Sequence, residues 1–61
     1  MKWYYIEFHM NGKFDHADEF LAADASQAES MKRTTVVSWI DRGGVVEFGL
    51  LSERYRTKKN P

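Results

Sequence analysis

Apolar and polar residues alternate along residues 2–10, KWYYIEFHM, placing Tyr4, Ile6 and Phe8 on one side and Trp3, Tyr5, Glu7 and His9 on the other. A period of two, rich in aromatic and β-branched residues, predicts a strand from Lys2 to Met10. Asn11-Gly12 follows, and a type I′ turn needs φ > 0 at both central positions, which these two residues tolerate best. A second strand is expected from about Lys13 to Ala23. With a two-residue loop, Met10 faces Lys13, Phe8 faces Asp15, Ile6 faces Ala17 and Tyr4 faces Glu19. The other side pairs Trp3 with Phe20, Tyr5 with Asp18, Glu7 with His16 and His9 with Phe14. A bulge in DHADE would swing Phe20 to the opposite face.

The pattern changes at AADASQAESMKR, where Asp24 is a helix cap with Gln27 as its box partner, and Ser26 with Glu29 forms a second box two residues on. A helix starts near Ala25, with Ala28 and Met31 on its apolar stripe. TTVVSWI is a β-branched run and predicts a third strand after Arg33. A competing reading continues the helix to Asp41, because Ala28, Met31, Thr35 and Trp39 also fit its period. DRGG reads as a turn and VVEFGLLS as a last strand. The expected fold is α+β: a ββαββ domain over residues 1–53, with one helix on one face of a four-stranded antiparallel sheet. Tyr4, Ile6, Phe8, Val37, Trp39 and Phe48 are its expected core. Val36, Ile40, Val45 and Leu51 would line the open face, with Trp3, Phe14 and Phe20 as further candidates for it.

At 61 residues the chain buries only about 60% of the surface its unfolded form exposes. Without cysteine it has no disulfide and no thiolate ligand, so stability comes from packing, a partner or self-association. No apolar run approaches a membrane span, and a cytoplasmic protein is expected. Through Met31 six acids face two lysines, leaving minus four; from Lys32 onward seven bases face three acids, leaving plus four. The net charge of zero hides a dipole along the chain. Residues 54–61 are basic and are expected to fray.

Candidate chemistry is sparse. Glu7, His9, His16 and Asp18 share a face if the turn has two residues, and imidazole and carboxylate are zinc ligands. No spaced ligand motif supports that site, so the histidines read as solvated sheet residues and no metal or other cofactor is expected. A three-residue loop would separate them. No nucleophile, base and orienting group are brought together by spacing, Gly43-Gly44 precedes no helix, and Asp15, Asp18 and Glu19 read as a solvated strand edge. A non-catalytic protein is expected. Trp3, Tyr5, His9, His16, Ile40 and Val45 are the candidate protein-binding residues, for a protein partner or a second copy, with pH sensitivity from the histidines. The alternative is nucleic-acid binding through Arg54, Tyr55, Arg56, Lys58 and Lys59, which combine phosphate-neutralising charge with a stacking ring. The acidic first half opposes it.

The strand-to-helix junction LAADASQAESMKR, followed by a β-branched hairpin, resembles the layout of small phage-encoded inhibitor proteins, among them type I anti-CRISPR proteins. The resemblance covers the order of elements and the Ser26-Gln27-Ala28 helix start, and no functional residue is carried over. It implies a stoichiometric inhibitor acting in the host cytoplasm on a host or defence complex.

Overall fold

Asn11 and Gly12 adopt φ of 55° and 76°, the two positive values of the expected turn, and join strand β1 (Lys2–Met10) to strand β2 (Lys13–Ala22). The computed structural model describes residues 1–54. Helix α1 (Ala25–Asp41) and strand β3 (Val45–Leu50) follow, and residues 51–54 form a helical turn. The sheet order is β2-β1-β3, with both neighbours antiparallel to β1. β2 and β3 are therefore parallel to each other, and α1 is the crossover between them. Among the described residues no helix is long and apolar enough to cross a membrane.

The fold is α+β, with three strands among the described residues rather than four. TTVVSWI, expected as a strand, is the second half of α1. Asp24 caps the helix by accepting from the Gln27 backbone N–H at 2.9 Å, and Gln27 Oε1 accepts from the Ala23 N–H at 2.6 Å. The β-branched run fits the helix partly because two hydroxyls turn back on it. Thr34 Oγ1 donates to the Ser30 carbonyl and Thr35 Oγ1 to the Met31 carbonyl. Three burials complete the explanation: Ala28, Val36 and Trp39 face the sheet, and no strand register presents that set. Val36 and Val37 thus exchange their expected places, with Val36 in the core and Val37 56% exposed.

DRGG is the helix terminus. Gly43, at φ 89°, donates to the Ile40 carbonyl and Gly44 to the Trp39 carbonyl, the paired bonds of a Schellman motif. Gly44 has a second duty, since a methyl group there would overlap the Trp39 indole ring. That ring packs edge-on against Phe8 at 5.5 Å between centroids, and its Nε1–H donates to the His9 carbonyl at 2.9 Å.

The register of the hairpin shifts at the step between Phe8 and His9. His9 still pairs with Phe14 and Met10 with Lys13, but Phe8 pairs with His16, Ile6 with Asp18 and Tyr4 with Phe20. One extra residue at Asp15 is the cause, so every β2 side chain beyond it changes face. Phe20 joins Tyr4 and Phe48 in a stack with centroids 6.0–6.4 Å apart. Ile6, fully buried, sits with Phe8, Val36 and Trp39, and Met10, Val46 and Phe48 pack around them. Tyr4, Ala22 and Ala28 make the second part of the core, beside Leu50.

Trp39→Phe keeps most of this packing but leaves the His9 carbonyl without its donor, and is expected to cost about 1–2 kcal/mol. Gly44→Ala forces the indole aside and should cost about 2 kcal/mol. Urea unfolding measures both; midpoints equal to the parent's would show that the Trp39 tether contributes nothing.

Candidate binding face

The face of the sheet away from α1 is built on the odd positions of β1. Trp3, Tyr5, Glu7 and His9 follow one another at every second residue, as the strand period dictates. Their neighbours across β2 are Leu21, Glu19, Ala17 and Phe14; across β3, Tyr5, Glu7 and His9 meet Gly49, Glu47 and Val45. The helical turn at 51–54 brings Arg54 over this face. Its Nε lies 2.8 Å from Glu7 Oε2, an ion pair whose N–H is not aligned for a hydrogen bond, and its Nη1 lies 3.7 Å from Glu19 Oε2. The guanidinium also covers the Tyr5 ring, 5.2 Å from its centroid.

Glu7 is 4% exposed, the buried charge at the centre of the sheet. Its other carboxylate oxygen lies 3.3 Å from His9 Nε2. Burial of a carboxylate is costly unless it is paired, and Arg54 supplies the pairing charge. Burial also holds the Tyr5 phenol above its ordinary pKa; the carboxylates of Glu47 and Glu7 push the same way and Arg54 opposes them.

No protein-family model, curated protein or solved structure matches this chain. Of the candidate protein-binding residues, Trp3, Tyr5, His9 and Val45 lie together on the open face. His16 does not: the bulge turns its ring to the helix side, stacked on Phe8 at 4.3 Å and edge-on to Trp39 at 5.4 Å. Ile40 belongs to α1 rather than to a strand, and is 47% exposed there. Sequence reasoning put Glu7, Glu47 and Phe14 on this side but missed Glu7 as its buried centre, and it missed Leu21, which the bulge brings opposite Trp3. A lone acid amid aromatic strand residues was the available signal.

Glu7, His9, His16 and Asp18, weighed and set aside as a zinc set from the sequence, do not share a face, since the bulge puts His16 and Asp18 opposite Phe8 and Ile6. Glu7, His9 and Glu47 replace it as the group that could hold an ion, with ligand atoms within 4.8 Å of one another. Arg54 already supplies a positive charge to Glu7, so an incoming cation would meet a guanidinium, and we assign no metal there. Arg54 was also expected to open a frayed basic tail, and in the alternative reading to contact nucleic acid. It is folded onto the sheet and paired with two carboxylates, while Tyr55, Arg56, Lys58 and Lys59 lie outside the described residues.

Arg54→Met takes the guanidinium away from the buried Glu7 carboxylate and should destabilise the protein by about 3 kcal/mol, whereas Arg54→Met combined with Glu7→Leu should recover most of that loss. Thermal unfolding of the two variants decides it; equal losses would place the burden elsewhere. Because the folded state binds the Tyr5 proton more tightly than the unfolded chain, stability from this group is complete below the unfolded phenol value. It is lost as pH rises through the higher folded value. Tyr5→Phe should therefore soften alkaline unfolding, followed by circular dichroism as pH rises beyond about 10.

Proposed function

We propose that the chain is a small non-enzymatic protein-binding module that offers the open face of its sheet to a partner. The carrying observation is the placement of four large apolar side chains on that face: Trp3 at 51%, Leu21 at 41%, Phe14 at 56% and Val45 at 63% exposure. They lie in two groups, Trp3 with Leu21 toward one end of β1 and Phe14 with Val45 beside His9 toward the other. Between them stand Tyr5, Glu7, Glu19, Glu47 and Arg54. Apolar anchors around an ordered polar centre suit a protein partner, where aromatic residues carry affinity and fixed charges select orientation. Beside Trp3 a shallow groove of about 530 Å³, lined also by Met1, Lys2, Leu50, Leu51 and Ser52, extends the first group.

The layout resemblance to phage-encoded inhibitors supports a stoichiometric inhibitor of a host or defence complex, acting in the host cytoplasm. LAADASQAESMKR does join a strand to a helix, but the β-branched hairpin used in that resemblance is not among the described residues. The inhibitor reading thus rests on the junction and on the apolar face.

A photo-reactive residue at Trp3 or Val45, with Ser30 on the exposed side of α1 as control, tests the face. In native-host lysate one protein should be captured from the first two positions and not from Ser30, and Trp3→Glu should abolish capture from Val45. Equal capture at all three positions would refute the face. Oligonucleotide binding that falls steeply with salt would favour the basic segment instead.

A further inference from the structure

The two edges of the sheet are unlike. β2 exposes Lys13, Asp15, His16, Asp18 and Glu19 and carries a bulge, the devices by which an edge strand avoids pairing with another chain. β3, VVEFGL, has one charged residue, no proline and no irregularity in its register with β1. Among the described residues no strand lies on its outer side. We propose that β3 pairs antiparallel with β3 of a second copy of this chain, making a continuous six-stranded sheet with both helices on one side. The inference goes beyond the proposed function, since it uses the sheet edge and not the open face.

The commitment to a second copy rests on self-complementarity. A two-fold axis perpendicular to the sheet keeps each side chain on its own face, so a residue can oppose only one of its own parity. Two central registers satisfy this. With Glu47 on the axis, Glu47 opposes the partner's Glu47, a like-charge pair. With Phe48 on the axis, the two phenylalanines meet, Val46 opposes the partner's Leu50, and Glu47 opposes the partner's Gly49. The second register sets apolar residues against apolar ones on the helix side and gives each glutamate a neighbour without a side chain. Lys32, whose Nζ lies 5.4 Å from the Phe48 ring centroid, would approach the axis from both copies. Each brings its own counter-charge, Glu29 at 3.0 Å.

The Glu47–Gly49 pairing yields a test in which the sign of a charge is the only variable. Gly49→Glu and Gly49→Lys both place a Cβ about 3.3 Å from the Tyr5 ring, so they share the same local strain. In the proposed dimer the glutamate would oppose the partner's Glu47 twice, and the lysine would pair with it twice. Sedimentation equilibrium from micromolar to millimolar chain should give a dimer for the parent. The lysine variant should dimerise about tenfold more tightly than the glutamate variant, given two cross-strand pairs changing sign, and the gap should close at high salt. Circular dichroism confirms that both remain folded. A parent that stays monomeric throughout, or two folded variants that associate equally, overturns the proposal. Either result leaves the open-face reading intact, because that reading is tested by capture of a different protein.

Discussion

The indole N–H of Trp39, bonded to the carbonyl of His9, joins the parts of this protein that its chain keeps far apart. His9 stands at the step where the hairpin changes register, and Trp39 lies in the last turns of the helix. The ring reaches that carbonyl only because residue 44 has no side chain. A helix terminus, a bulge and the central strand are thereby fixed by one side chain. Phe8, His16 and Arg42 pack around the ring, so the part-buried bond is made where losing it takes the indole donor from the His9 carbonyl.

Local chemistry was legible wherever it was self-contained. Asn11-Gly12 specified the turn, Asp24 with Gln27 specified the helix start, and the even positions of β1 specified the core side of that strand. The segment TTVVSWI was legible only as two competing readings, because β-branched propensity favours a strand and the sheet surface under Val36 and Trp39 decides for the helix to Asp41. The bulge at Asp15 was legible only as an alternative, a bulge in DHADE that would move Phe20 across the sheet; what selects it is the burial of Phe20 on the far end of the same strand, which alternation alone does not show. The candidate face shows the same division. Trp3, Tyr5 and His9 follow from alternation alone, whereas the burial of Glu7 depends on Arg54, which arrives from the far end of the described chain.

That arrival also changes the meaning of the charge layout. Minus four in the first half and plus four in the second make a dipole along the sequence, which does not by itself make two oppositely charged faces. Folding instead carries a base of the second half onto two acids of the first, and of the two contacts the one to the buried Glu7 is the less screened by salt. The open face therefore carries three carboxylates, Glu7, Glu19 and Glu47, and one guanidinium, Arg54, between its apolar ends, and that negative centre supports the proposed protein partner over a phosphate backbone.

The sheet order carries a kinetic consequence. β1 meets β2 through a two-residue turn, but its other edge must wait for β3, which follows the whole of β2 and α1. The hairpin is a local structure that forms early; closure of the sheet is a long-range event that orders the intervening helix at the same time. Until β3 docks, the most aromatic strand in the chain has a free backbone edge and an uncovered core side. The interval between hairpin formation and strand docking is thus the period in which this small protein is most exposed to aggregation.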